Sequence, residues 1–300
     1  MINYNRPPNF IHKDSGIPIF DFQPKSLNEF SLNDAAKIHD NALKWLFESH
    51  NQTEEEFRQE LVNKIKIEKG HKVLITAAGS ANDVKYIARK AGVEGEIFIQ
   101  DYAQEMLIEG YYRCMKDEEL QKYKLNFFVN DALKLPFDND MFDVSFHFGG
   151  INLYNDIKKG IHEMHRVTKK GGQILLGDEG LAYWLKDTEE GKAQISNNKL
   201  YRYDPPLKLL PSDVKNVNLC WLINNCYYVI TYTKAERSWH YNMDLKHKGI
   251  RGGSVRTRHF GNLEGIDPDL KKKFYEKTLQ SGKSRVEVLE DIINKYIKND

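Results

Sequence analysis

Between Asn130 and Glu179 the chain reads N-D-A-L-K-L-P-F-D-N-D-M-F-D-V-S-F-H-F-G-G and then, after a short gap, H-E-M-H-R-V-T-K-K-G-G-Q-I-L-L-G-D-E. An acidic loop is followed by an apolar run opening at Phe142-Asp143, a helical stretch, a Lys-Lys-Gly-Gly turn and a second apolar run. This order extends a texture that begins at Lys72, where short apolar runs alternate with helical stretches. Such alternation specifies an α/β fold with a doubly wound, mostly parallel sheet. Strands are expected at Val73–Thr76, Ile97–Asp101, Asn126–Val129, Phe142–Phe148 and Gln173–Gly177. Helices are expected at Asp83–Ala91, Gln104–Cys114 and Asp156–Val167, the last capped by Asn155 or Asp156. The crossovers should be right-handed.

The flanking segments have other textures. Residues 1–24 are rich in Pro, Asn and aromatic residues and read as an arm laid over a surface. Two helical stripes follow, one of Ile38, Ala42, Trp45 and Leu46 behind a weak Ser31/Asp34 cap signal, the other of Phe57, Leu61 and Ile65. Near the end of the core, Asn216–Ile223 and Cys226–Thr233 are β-rich runs joined by Asn224-Asn225, a dipeptide suited to a tight hairpin. Beyond residue 235 come a basic, glycine-containing loop and two helices, the second opening with the capping box Ser284-Arg-Val-Glu287. The expected division is an arm and helical cap over 1–66, a ligand-binding core over 67–235 and an extension over 236–300.

Composition narrows the function. With 44 basic and 43 acidic residues the formal net charge is +1, too little to attract nucleic acid or anionic lipid. No run of about 18 apolar residues suggests a membrane span. Three cysteines without C-x-x-C or Cys/His spacing argue against a structural metal and suit a reducing cytoplasm. His162 and His165 share a helix face, but with no third ligand in view they read as surface contacts.

The ordered stretch from Asn130 resembles the second half of class I S-adenosylmethionine-dependent methyltransferases, in particular the group containing quinone-biosynthesis C-methyltransferases and many small-molecule methyltransferases. The resemblance covers roughly Lys72 to Thr233 and implies a seven-stranded sheet ending in an antiparallel hairpin. It further implies S-adenosylmethionine held at the carboxyl ends of the strands, where open α/β sheets bind ligands. The first turn, Ala77-Ala78-Gly79-Ser80-Ala81, would cup the methionine part. Against the family pattern, Ile75 stands where an acid is usual and Ala77 and Ala81 replace glycines. Thr76, Asn82 or Asp83 could supply polar contacts instead. Asp101, followed by Tyr102, would hold the ribose hydroxyls, and Asp131-Ala132 the adenine. Phe148 and Gly149 would line the pocket, with Met106 and Leu107 either near the base or simply core.

Methyl transfer from a sulfonium requires alignment more than acid–base machinery, so no triad is to be sought. Candidates for taking an acceptor proton are Asp178, Glu179 and His147. Asn152 and Tyr154, with Tyr183 and Trp184 on the same rim, and Arg256 and Arg258 in the basic loop, are candidates for holding the acceptor. The reading is an enzyme methylating a small or medium-sized organic acceptor at oxygen, nitrogen or carbon. A homodimer is left open, and the competing reading is a catalytically silent nucleoside-binding or interaction protein of the same fold. A nicotinamide oxidoreductase fits less well, since G-x-G-x-x-G is absent.

Overall fold

The computed structural model describes residues 4–21, 34–237, 239–260 and 266–298. Ser31 of the anticipated cap lies outside them. The chain divides into two compact units, 1–238 and 239–300.

In the first unit a single mixed sheet holds β1 (Phe10–Ile11), β2 (Pro18–Ile19), β3 (Lys72–Thr76), β4 (Glu96–Asp101), β5 (Lys124–Val129), β6 (Phe142–Phe148), β7 (Thr168–Glu179), β8 (Val214–Leu222) and β9 (Tyr227–Lys234). Their spatial order is β1-β2-β5-β4-β3-β6-β7-β9-β8. Strands β3 to β7 are parallel, and β9 and β8 close one side as an antiparallel pair. The expected seven strands are all present, and two more come from the arm. These are two residues each, too short to show any periodicity in sequence.

The parallel strands are apolar on both faces because helices cover both. Helix α3 (Val84–Ala91) turns Val84, Ile87, Ala88 and Ala91 inward. Helix α4 (Gln104–Lys116) buries Met106, Leu107, Gly110 and Cys114. Helix α5 (Ile157–Val167) starts where Asp156 accepts a hydrogen bond from the Lys159 N–H at 2.9 Å. At the hairpin, Ile223, Asn224 and Asn225 all have positive φ.

Helices α1 (Ala35–Ser49) and α2 (Glu54–Asn63) precede the first long strand and belong to the same unit. A complete capping box between Thr53 and Glu56 starts α2. The Phe57 ring lies 5.4 Å from Phe47 and 5.2 Å from Phe148, so α2 packs onto the end of β6. The arm is pinned by Tyr4, whose ring packs among Phe20, Phe128 and Phe137.

The first unit also holds α6 (Glu189–Asn197), and the second unit holds α7 (Val255–Phe260), α8 (Pro268–Ser281) and α9 (Arg285–Lys298). Gly282, at φ 68°, ends α8, and the Ser284/Glu287 box starts α9. The Arg285 guanidinium stacks 3.8 Å from the Tyr275 ring. Among the described residues no helix is long and apolar enough to cross a membrane.

Candidate functional site

The parallel strands β3, β4, β5 and β6 end side by side, and the residues just beyond them build one rim. The turn after β3 has Ala77, Gly79 and Ala81 at φ 51°, 53° and 66°, so two alanines occupy the left-handed conformation usual for glycine. What holds them there is the neighbouring strand. The Ala77 N–H donates to Gln100 Oε1 at 3.2 Å, the Ala78 N–H to the Gln100 carbonyl at 2.9 Å, and the Gly79 N–H to Asp101 Oδ2 at 2.6 Å. Gly110 of α4 lets the turn approach closely, since a Cβ there would stand 2.8 Å from the Ser80 carbonyl carbon.

Asp101 is nearly covered, and its second oxygen accepts from the Ala103 N–H at 2.7 Å. Burial pushes its carboxyl above the usual range, opposed by the N–H groups of Ala103, Gly79 and Tyr102. The Tyr102 side chain is exposed. After β5, Asp131 accepts the Leu133 N–H at 2.9 Å while its own N–H donates to Asp21 of the arm at 3.1 Å. Asp21 is held by Arg6 at 2.8 Å, and Ala132 is buried beside them. The third segment of the rim is therefore braced by the N-terminal arm.

After β6, Phe148 is half-buried between Phe57 and Tyr227, 5.2 Å and 5.7 Å from their ring centres. Gly149 and Gly150 follow at φ 81° and 93°, and a Cβ on Gly149 would meet no atom within 4 Å, so the rim is open at that point. Beneath it Thr76, His147 and Tyr154 form a buried polar group. Thr76 Oγ1 and His147 Nδ1 are 2.9 Å apart, and the Tyr154 hydroxyl lies 3.5 Å from the same nitrogen. His147 has 0% exposure, and burial pushes its imidazole down to about 3. Gly160 leaves room for the Tyr154 ring, which a Cβ would meet at 2.5 Å.

At the end of β7, Asp178 is wholly buried, accepting the Asn152 N–H at 2.7 Å and the Glu179 N–H at 2.8 Å. Burial and the adjoining Glu179 push its carboxyl well above the usual range. Asn152 spends its side chain on the Glu179 carbonyl, at 2.8 Å, and on the Tyr228 hydroxyl, at 3.3 Å. Glu179 itself is half-buried. Tyr183 and Trp184 are exposed and pack edgewise on Trp221.

Met106 and Leu107 are core residues of α4, and the Met106 Cε lies 3.6 Å from where a Gly79 Cβ would be. Asn82 and Asp83 face α2: Asn82 Nδ2 donates to Glu54 Oε1 at 3.3 Å, and Asp83 pairs with Arg58 at 2.7 Å. His162 meets the Leu209 carbonyl and His165 the Asp213 carboxylate. Arg256 and Arg258 belong to the second unit, where Arg256 pairs with Asp244 at 2.6 Å and Arg258 donates to the Gly252 carbonyl at 2.7 Å. A cleft of about 480 Å³ opens elsewhere, among Lys64, Lys66, Lys90, Gln173 and Asn218, at the amino end of β7.

Sequence reasoning missed Gln100, Asp21, Glu54 and Arg58. A glutamine inside the apolar run I-F-I-Q-D was a readable signal, whereas Arg58 sits beside an apolar stripe and gave none.

Comparison with known proteins agrees with this frame. Residues 46–178 match the ubiE/COQ5 methyltransferase family, a span that includes α2 and every rim segment from the first turn to Asp178. A demethylmenaquinone methyltransferase of Geobacillus kaustophilus is 33% identical over 120 residues, 40% of this chain and 50% of that protein. The enzyme of the same name from Bacillus subtilis is 33% identical over 125 residues, 41% of this chain and 52% of that one. The chain thus spans about half the length of the curated relatives it matches. Among solved structures, phosphoethanolamine N-methyltransferase 2 of Haemonchus contortus in complex with S-adenosyl-L-methionine superposes with a TM-score of 0.54 at 14% identity, covering 71% of this chain and 62% of that one. Strand order, terminal hairpin and the match over residues 46–178 together make the core of this chain similar to that of class I S-adenosylmethionine-dependent methyltransferases.

Proposed function

We propose that the chain binds S-adenosylmethionine along the rim from Ala77 to Ala132 and transfers its methyl group to a small organic acceptor, of the quinone type named for its relatives. The observation carrying this reading is the first turn. Two alanines there keep the left-handed backbone of a ligand-cupping loop, an energetically costly arrangement that an ordinary strand-to-helix connection has no reason to hold. The residues fit the donor: Asp101 retains lone pairs beyond its main-chain bonds, and the rim is open above Gly149.

Bound there, S-adenosylmethionine supplies an activated methyl group, and the protein supplies alignment and dryness. Asp101 and Tyr102 take the ribose side, and Asp131 with Ala132 takes the base. Thr76, Ala77, Gly79 and Asn82 flank the amino-acid part, and Phe148 and Gly149 form the wall. Of the three proton-accepting candidates, Glu179 keeps an accessible carboxylate. Asp178 and His147 act as positioning residues, the first on Asn152 and the second on Thr76 and Tyr154. Arg256 and Arg258 are left out of the proposed site. The three free cysteines fit a reducing cytoplasm.

Isothermal titration of the full chain with S-adenosylmethionine should give saturable, micromolar binding, and incubation with a demethylated naphthoquinone should transfer the methyl group. Absence of saturable binding would overturn the proposal. Binding without transfer to any of a panel of phenols, quinones and amines would favour the silent, nucleoside-binding alternative.

A further inference from the structure

The first turn lacks an acid of its own, Ile75 being a buried side chain of β3, yet a carboxylate stands beside the turn from another element. Glu54, in the first turn of α2, accepts from Arg58 Nε at 2.8 Å and from Asn82 Nδ2 at 3.3 Å through one oxygen. Its other oxygen accepts no bond from the described residues. Arg58 is deeply buried and also pairs with Asp83 at 2.7 Å, so one guanidinium faces two carboxylates and the group carries one net negative charge. Of the three charged side chains Glu54 is the accessible one, with 42% of its side chain exposed against 7% for Arg58 and 13% for Asp83.

Resting on the donor-site reading above, we propose that Glu54 is the specificity residue for the donor's amino-acid part, its free carboxylate oxygen receiving the α-ammonium. The ammonium cancels the excess negative charge, and Arg58 and Asn82 fix the carboxylate so that little ordering is needed on binding. The recognition is supplied from the helical cap rather than from the sheet.

The test compares two probes on the full chain by isothermal titration: S-adenosylhomocysteine, which has the amino-acid part, and methylthioadenosine, the same nucleoside thioether without it. Wild-type protein should prefer S-adenosylhomocysteine. Glu54→Gln, which preserves the hydrogen bonds to Arg58 and Asn82, should lose about tenfold in affinity for that probe and none for methylthioadenosine. Should Glu54→Gln fail to fold, Glu54→Asp, with a retracted carboxylate, should show a smaller loss confined to the same probe. Unchanged affinity for S-adenosylhomocysteine, or equal loss for both probes, would overturn the inference, the second outcome marking Glu54 as merely structural. If the wild-type protein binds neither probe, the donor-site reading itself is what fails.

Discussion

The Gly79 N–H donates to Asp101 Oδ2 at 2.6 Å, tying the turn after β3 to the end of β4. The same carboxylate holds the Ala103 N–H that opens α4. Asp101→Ala strands both N–H groups, with an expected loss of about 1–3 kcal/mol in donor affinity. Titration with S-adenosylmethionine, alongside a melting curve, separates this loss from unfolding. Wild-type affinity in a folded variant would show that Asp101 does not position the ribose side.

Gly110 is where α4 passes closest to the first turn. A methyl group there would stand 2.8 Å from the Ser80 carbonyl carbon and 3.0 Å from the Ala81 Cβ, with backbone on the crowded side. Gly110→Ala should therefore cost about 1–3 kcal/mol by overpacking, despite alanine's better helix propensity. Urea denaturation would measure it, and an unchanged or raised midpoint would mean that α4 shifts freely.

His147 makes stability depend on pH. Its folded imidazole is pushed down to about 3, against about 6.5 in an unfolded chain. Between those values the unfolded state binds the proton and the folded state does not, so stability rises with pH. The contribution is complete above about pH 6.5 and disappears as pH falls toward 3. His147→Gln should flatten the slope of unfolding free energy between about pH 6.5 and 4. An identical slope in both proteins would show that His147 is not the group responsible.

Lys234 is almost covered, and its ammonium donates to Asp140 at 2.8 Å and to the carbonyls of His165 and Thr168 at 2.9 and 2.8 Å. It closes the carboxyl end of α5, where main-chain carbonyls lack helical partners. Lys234→Met keeps the aliphatic stem and removes these bonds, with an expected cost of about 2–3 kcal/mol. A shifted urea midpoint at constant slope is the expected signature; no shift would mean that water replaces the ammonium without penalty.

The core was legible because its signals are local. The five parallel strands, the Asp156 cap, the Asn224-Asn225 hairpin and the Ser284 box are each encoded within a few neighbouring residues. The first turn was only half legible. Ala77 and Ala81 read as departures from a glycine pattern, yet Gln100 and Asp101, more than twenty positions away, hold the turn's N–H groups in place. His147 was ambiguous for another reason: β6 is buried on both faces, so alternation cannot tell which side a residue faces. The arm's strands and the Arg58 group depend on partners distant in sequence, and no local pattern announces them.

Asp21 takes the Asp131 N–H and Ile19 pairs with Val129, so the arm's place exists only after β5 has been made and seated. The separation of 110 residues between Asp21 and Asp131 makes this a costly closure to form early. During synthesis the arm emerges well before its partner strand and cannot settle until β5 is in place, and until it does the outer edge of β5 stands open to strands from other chains.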